Sequence, residues 1–263
     1  MYMSRSFLIA SGKGGVGKSS VAASLGQALA KRGLSVALMD ADTGLRCMDL
    51  MLGIQDKVVF DFADVMEKRC LLQEALYPVP GYGSLFLLSA SQILRAAEIR
   101  PKDVQKVTQA LNRTFDIVLV DCPAGVGRNL KVNLGSVEEY ILVTTPDDIA
   151  MRDAERTCQV MGEHEIFHPH LILNRTDKHM IRRGEMISPQ QASMVLDAPL
   201  LGAVPDSDKV YRGLMRHKTA YECGDKQVRL AFERIADRLM GETLPVKEVK
   251  QSPVERFFLR ARM

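Results

Sequence analysis

Residues 7–20 read FLIASGKGGVGKSS, an apolar run followed directly by a loop of glycines and lysines. The run Phe7–Ser11 is short and hydrophobic, which is typical of a buried strand. Beyond the loop, apolar residues recur at helical spacing over Ser19–Arg32, and Gly33 stands where helices commonly end. The stretch therefore predicts a strand, a tight loop and a helix, in that order.

The loop from Gly12 to Ser19 fits the pattern G-x-x-x-x-G-K-[ST], in the strand-to-helix context that the pattern requires. Glycines let successive backbone N–H groups point at phosphate oxygens, and the helix start adds the positive end of its dipole. Lys18 suits the β- and γ-phosphates, and the Ser19 hydroxyl suits Mg²⁺. We therefore predict a site for ATP and Mg²⁺ whose loop contributes Gly12, Gly14, Gly15, Val16, Gly17, Lys18, Ser19 and Ser20.

The rest of the chain alternates short apolar runs with helical stretches. Further strands are predicted at Val36–Asp40, Leu85–Ser89, Ile117–Asp121, Tyr140–Thr144, His170–Asn174 and Leu200–Val204. Further helices are predicted at Asp61–Lys68, Pro101–Asn112, Asp147–Gly162 and Asp225–Met240. Such alternation indicates an α/β fold, a mostly parallel sheet covered by helices on both faces, as in P-loop NTPases. We predict an ATPase domain over 1–241, a linker over 242–252 and a C-terminal amphipathic helix over 253–263.

Two of the predicted strands end in aspartate. Ile117–Asp121 is a hydrophobic strand with a terminal acid, the Walker B arrangement, which predicts Asp121 near the metal. The strand at Val36–Asp40 continues into Ala41 and Asp42, so that two carboxylates leave the same strand end. Acidic pairs at strand ends also cap helices, and that alternative stays open here.

Lys13 is a second lysine inside the loop, which a simple phosphate cradle does not need. With it, the segment Lys13–Ser19 resembles the deviant Walker A signature of the ParA/MinD family of ATPases. The resemblance implies that Lys13 reaches the phosphates of a partner in an ATP-bound dimer and acts there as a catalytic cation beside Lys18. It also implies that Asp40 holds the metal's waters, and that Asp42 positions the attacking water.

The resemblance continues beyond the loop. Cys122–Gly125 resembles the family's second switch, which senses the γ-phosphate. Asn174 and Arg175 stand where the family clamps adenine, and Pro205 and Asp206 match its strand exit near the base. For Asn174 and Arg175, an ordinary loop start remains the alternative.

Within the family the likeness is strongest to the MinD branch, which governs placement of the division site. This implies a slow, partner-stimulated, Mg²⁺-dependent ATP hydrolase that forms a homodimer on ATP. It further implies division-inhibitor and ATPase-activating partners of the Min type. Cys47, Met48, Gly127 and the segment 216–219 depart from the family pattern and leave the identity of those partners open.

The C-terminal residues carry an independent argument. On a helical wheel Val254, Phe257 and Phe258 fall on one side, and Arg256 and Arg260 lie roughly opposite. Apolar aromatics facing arginines suit an interfacial helix on anionic lipid. Two such helices in one dimer would bind a membrane by avidity. A helix packed on its own domain, or a frayed tail, is the alternative.

Composition limits the other possibilities. The 263 residues carry a net charge of +3, too little for a chain-wide nucleic-acid footprint, so we expect no DNA binding. The five cysteines include no C-x-x-C pair, which favours a reducing cytoplasm. The resemblance and the C-terminal residues together imply a chain that is peripheral on the cytoplasmic face of the cell membrane. Three rivals remain: a flagellar-number regulator of the same subfamily, a ParA-type DNA-partition ATPase, and a nucleotide-binding adaptor that does not hydrolyse ATP.

Overall fold

The computed structural model describes residues 4–42, 46–91 and 99–246. They form an α/β fold with helices on both faces of one sheet. The strands are β1 Arg5–Ala10, β2 Val36–Asp40, β3 Leu76–Val79, β4 Tyr82–Leu88, β5 Ile117–Asp121, β6 Glu139–Thr144, β7 His170–Thr176 and β8 Leu200–Pro205. The α-helices are α1 Lys18–Ala30, α2 Met48–Met51, α3 Phe62–Met66, α4 Pro101–Asn112, α5 Arg128–Asn133, α6 Asp148–Gly162, α7 Lys178–Arg182, α8 Pro189–Leu196, α9 Asp208–Leu214 and α10 Lys226–Leu239.

The strand order places the glycine loop near the middle of the sheet. The described sheet has eight strands in the order β3-β4-β2-β5-β1-β6-β7-β8. Only β3 and β4 pair antiparallel; the other neighbours are parallel. The carboxyl ends of β1, β2 and β5 therefore share one edge, and chain crossings on either side of β1 open the crevice where α/β sheets bind ligands.

Side chains alternate between two apolar layers along the central strands. Phe7 and Ile9 of β1 join α1 and α10 in one core. Leu8 and Ala10 join α4 and α5 in the core on the opposite face. Because both faces are covered, β1, β2 and β5 are buried almost throughout, which explains their continuous apolar runs.

The predicted α/β class and mostly parallel sheet are confirmed, and every strand and helix that was predicted within the described residues is present, with ends shifted by a few residues. The edge strand β3 was not predicted, nor were the short helices α2, α5, α7, α8 and α9. No helix among the described residues is long and apolar enough to cross a membrane.

The end of the described chain lies against α10. Residues 242–246 belong to no helix or strand, and Arg238 donates to the carbonyl oxygens of Leu244 at 2.7 Å and Pro245 at 3.1 Å. The predicted amphipathic helix, with the membrane-binding residues Val254, Arg256, Phe257, Phe258 and Arg260, lies outside the described residues. So do the rest of the predicted linker and residues 43–45, which belong to the stretch from Asp40 to Arg46 that resembles the family's first switch.

Strand β8 and helix α10 approach closely at Gly202. A Cβ atom at this position would overlap the side chain of Ile235, which is fully buried in the core. Glycine therefore sets the distance between this helix and the sheet.

Replacing Gly202 with alanine should lower the free energy of unfolding by about 1–3 kcal/mol, because the buried Ile235 cannot move aside without strain. Gly83→Ala is the matched control, since Gly83 also lies in a strand but a Cβ there meets no atom within 4 Å. Urea unfolding of both variants checks this. Equal midpoints for the two would show that β8 and α10 do not need this close approach.

Candidate functional site

The start of α1 is shaped to receive an anion. Gly17 precedes the helix with φ of +91°, and a side chain there would also press on the Asn174 carboxamide. No side chain caps this end of the helix, and its first turn has no acidic residue. The first backbone N–H groups and the positive helix dipole are thus available to a phosphate group.

Two predicted loop residues serve packing rather than lining. A Cβ at Gly12 would overlap the carbonyl oxygen of Asp153, so this glycine lets the loop lie against α6. The Val16 side chain is buried in the core beneath the loop. The other predicted loop residues line a cavity of about 710 Å³: Lys13, Gly14, Gly15, Gly17, Lys18, Ser19 and Ser20. That volume falls in the usual range for small-molecule sites.

Lys18 and Asp121 form a buried ion pair at the base of the cavity. Lys18 Nζ lies 2.6 Å from Asp121 Oδ1, and both side chains are almost fully buried. Burial opposes the charge on Lys18, but the attraction of Asp121 and the hydrogen bond that Lys18 donates to it outweigh burial and raise the pKa of the lysine. The second oxygen of Asp121, Oδ2, is buried and has no hydrogen-bond partner among the described residues.

Two further carboxylates adjoin this pair. Asp40 and Asp121 are register partners at the ends of neighbouring parallel strands. Burial and then repulsion from Asp121 raise the pKa of Asp40 to about 8. Asp42 donates its backbone N–H to Asp40 at 3.0 Å, and its half-buried side chain lines the cavity beside Lys18. Burial raises the pKa of Asp42 as well, against the attraction of Lys18.

The donor set fits Mg²⁺ held together with a nucleotide. Mg²⁺ usually keeps several waters and takes only one or two protein carboxylates besides phosphate oxygens. The unpartnered Asp121 Oδ2 and the raised pKa of Asp40 mark a place where a cation would relieve uncompensated negative charge. The described residues contain no group of three or more His, Cys, Asp or Glu side chains suited to hold a metal by themselves. Ser19, Asp40 and Asp121 are the residues available to such an ion or to its waters.

Lys13 forms an ion pair with Asp147 of the same chain. Its Nζ lies 3.7 Å from Asp147 Oδ1, and the two side chains are 41% and 52% exposed. Asp147 is itself fixed, because Thr145 Oγ1 donates to it at 2.6 Å and it accepts from the backbone N–H of Ala150 at the start of α6. An exposed pair of this kind is weak, so Lys13 can leave it for a stronger partner.

The far end of the cavity is formed where β7 and β8 end. Asn174, Arg175, Pro205 and Asp206, the residues predicted to lie near the base, all line it. Asn174 also donates from Nδ2 to the Val16 carbonyl oxygen at 2.8 Å, so it holds the loop in place. Their contact with adenine remains a prediction.

Some residues that line the cavity were not predicted from the sequence. Tyr211 and Leu214 of α9 line the cavity, as does Cys47 next to the first switch. The signal available was the pair Ser207-Asp208, a helix start directly after β8, where Ser207 caps α9 by accepting from Lys209 N–H. The departure at Cys47 from the family pattern was noticed, but not its place in the wall.

Comparison with known proteins gives one consistent likeness. The family model ParA, described as NUBPL iron-transfer P-loop NTPase, matches residues 2–240. The septum site-determining protein MinD of Bacillus subtilis is 33% identical over 251 residues, covering 95% of this chain and 94% of that protein. The MinC:MinD cell division protein complex of Aquifex aeolicus matches with a TM-score of 0.85 at 30% identity, over 93% of this chain and 99% of that chain. The MinD structure of Pyrococcus horikoshii with Mg-ADP matches with a TM-score of 0.80 at 29% identity, over 91% and 97%.

Replacing Asp40 with asparagine should flatten the pH dependence of stability between about pH 4 and pH 8. The pKa of Asp40 is about 8 in the folded chain, against 3.8 for an ordinary aspartate, so the folded state holds the proton more tightly. The free energy of unfolding is then highest below the ordinary pKa and falls as pH rises toward 8. Within that window the Asp40 contribution to the fall is at most about 1.4 kcal/mol per pH unit.

Urea unfolding at about pH 5, 6 and 7 measures this slope. Asp116→Asn is the control, because hydrogen bonds from Ser35 lower the pKa of Asp116, and its contribution therefore changes only below the ordinary 3.8. Asp42 leaves a residual slope in the Asp40→Asn variant, since its pKa is also raised. If the stability of the wild type and of Asp40→Asn changes equally with pH, the surroundings of Asp40 do not raise its pKa as described.

Proposed function

We propose a function for this chain from one premise: it belongs to the ParA/MinD family of P-loop NTPases. The chain binds Mg·ATP, dimerises on it, docks on the inner membrane surface and helps to place the division site, and hydrolysis of ATP releases it. The observation that carries this proposal is that Lys13, Lys18 and Asp42 line one cavity, with Asp40 and Asp121 buried beneath it.

Lys18 is the phosphate cation of the site. It is held beside Asp121 and lines the cavity at the N-terminal end of α1, where the β- and γ-phosphates would lie. An ammonium group has three donors and Asp121 engages one of them, so Lys18 can serve phosphate oxygens as well. Bound Mg²⁺ would neutralise charge on the transferring phosphoryl group.

Asp42 is the residue that positions the attacking water. It is the least buried of the three aspartates at this end of the sheet and lines the cavity itself, whereas Asp40 and Asp121 lie behind it. The hydrogen bond from Asp42 N–H to Asp40 fixes the backbone that carries its carboxylate. Asp42 thus orients water by hydrogen bonding, as phosphoryl-transfer sites require of such a residue.

Lys13 acts across the dimer. Its half-exposed side chain lines the cavity, and its ion-pair partner among the described residues is the exposed Asp147. In an ATP-bound dimer it would leave Asp147 for the partner's phosphates, where negative charge gathers in the transition state. Turnover would then depend on dimerisation.

Membrane attachment rests on residues 253–263. Their apolar and arginine-bearing sides suit anionic lipid, and a dimer presents two copies, which increases the apparent affinity by avidity. The family relatives supply the protein partners of this proposal: MinC occurs with MinD in the Aquifex aeolicus complex, so a division inhibitor of that kind is the expected partner here. An ATPase activator would set the rate of release.

Co-sedimentation with vesicles containing anionic phospholipid tests the membrane switch. The intact chain should sediment with ATP and remain in solution with ADP. A chain ending at Val246 and the variant Phe258→Glu should both stay in solution with either nucleotide. The truncation keeps the contacts of Arg238 with Leu244 and Pro245, so the ATPase domain retains its described end.

Phe167→Glu is the matched control, because Phe167 is 68% exposed on the ATPase domain and lies outside the proposed membrane helix. It should sediment like the intact chain. If the intact chain stays in solution with ATP and instead binds DNA in a salt-sensitive way, the partition function replaces this one. If phosphate release does not exceed that of Asp42→Asn, the chain is a nucleotide-binding adaptor.

A further inference from the structure

A second cleft lies at the other end of α1 from the phosphate loop. We call it the distal cleft and define it by Lys31, Tyr82, Lys218, Tyr221, Glu222, Arg229 and Glu233. Its volume of about 630 Å³ is close to that of the nucleotide cavity and within the usual range for small-molecule sites. None of these residues was assigned a role in nucleotide binding or turnover above.

The two tyrosines of the distal cleft donate hydrogen bonds to its two carboxylates. Tyr82 donates its hydroxyl to Glu222 Oε1 at 3.0 Å, and Tyr221 donates to Glu233 Oε1 at 3.4 Å. Both tyrosines are buried, and burial together with the neighbouring glutamate raises the pKa of each phenol, so each remains a donor. Neither glutamate forms an ion pair with a lysine or arginine in the described part of the chain.

The cations of the distal cleft are held without carboxylate partners. Lys31 Nζ lies 4.8 Å from the centre of the Tyr82 ring, and the Arg229 guanidinium lies 5.7 Å from that of Tyr221. Across residues 4–42, 46–91 and 99–246, no salt bridge engages Lys31, Lys218 or Arg229. Three cationic and two anionic side chains line the cleft, so its net charge is positive, and both carboxylates already accept a hydrogen bond from a tyrosine.

The wall of the distal cleft is fixed to α1. Thr219 Oγ1 donates to Gln27 Oε1, and Tyr221 donates its backbone N–H to Ser24 Oγ at 3.2 Å. Ser24, Gln27 and Thr219 are all buried. Because these contacts hold the segment that carries Lys218 and Tyr221, its backbone pays little entropy when a ligand binds.

We propose that the distal cleft is a second anion site, which binds a phosphate group through Lys31, Lys218 and Arg229. The phosphate belongs either to a soluble phosphorylated molecule or to a phospholipid headgroup, and both present the same oxygens. Arginine engages such a group through two parallel hydrogen bonds, and the lysines add point charges. The tyrosines hold two of the cations over their ring faces and keep the glutamates engaged.

Calorimetric titration of the full chain with inorganic pyrophosphate tests this site. The variants are Lys218→Glu and Arg229→Gln, both of exposed residues, so that the fold is not at risk. Each should weaken the distal binding event at least about tenfold, since a hydrogen bond to a charged group is worth that factor. Lys218→Arg should restore it. Lys106→Glu is the matched control, because Lys106 is exposed on α4, which packs on the opposite face of the sheet.

Binding of pyrophosphate to the loop at Gly12–Ser19 would not change in Lys218→Glu, so only a binding event that Lys218→Glu weakens reports on the distal cleft. If such an event is observed, the ligand of the distal cleft is a soluble phosphorylated molecule. If pyrophosphate shows no such event but calorimetric titration with a soluble short-chain phosphatidic acid does, and Lys218→Glu weakens that event, the ligand is a lipid headgroup. If neither ligand shows binding sensitive to Lys218→Glu and Arg229→Gln, the proposal is wrong, whatever the outcome for ATP.

Discussion

The buried ion pair between Lys18 and Asp121 is the interaction on which the rest of the site depends. Removing either partner would leave an uncompensated charge in the core, which is strongly destabilising. The pair joins the first turn of α1 to the end of β5, 2.6 Å apart, and so fixes the phosphate loop to the centre of the sheet. Asp40 lies in register beside Asp121, and its raised pKa is partly a consequence of that neighbour. A single buried cation thus faces a cluster of acids that it does not neutralise completely.

That imbalance gives the site its chemistry. The chain places a positive helix end and Lys18 close to Asp42 at the cavity, and behind them it buries Asp121, whose Oδ2 has no hydrogen-bond partner among the described residues. Such an arrangement binds a phosphate and a divalent cation together better than either alone. The phosphate is attracted by the helix end and Lys18, and the cation by the carboxylates. The same loop carries Lys13, whose pairing with Asp147 is exposed and replaceable. Lys18 is thus fixed by a buried partner, whereas the exposed pairing leaves Lys13 available for the role across a dimer that is proposed above.

The sequence predicted the centre of the molecule better than its edges. β1, β2 and β5 are rich in apolar residues because both faces of the sheet are covered. The aspartates that end β2 and β5 stand beside the loop because parallel strands end at one edge of the sheet. Strand β3 was missed because it contains Pro78 and pairs antiparallel at the sheet edge, which weakens its pattern. Contacts such as Gly12 with Asp153, or Lys13 with Asp147, join residues far apart in the chain and leave no local signal. The distal cleft is likewise assembled from three separate segments and could be found only in the folded chain.

The most direct test of the account is to mix the variants Lys13→Ala and Asp42→Asn and measure phosphate release. Each variant alone should be inactive, since one lacks the cation and the other the water-positioning carboxylate. If Lys13 acts across the dimer, the Lys13→Ala protomer of a mixed dimer keeps its own Asp42 and receives Lys13 from its partner. Random pairing then gives half mixed dimers with one complete site each, so the mixture should recover about a quarter of the wild-type rate. A mixture as inactive as its components, under conditions where the wild type dimerises on ATP, would mean that Lys13 acts only within its own chain, and the proposed coupling of hydrolysis to dimerisation would be wrong.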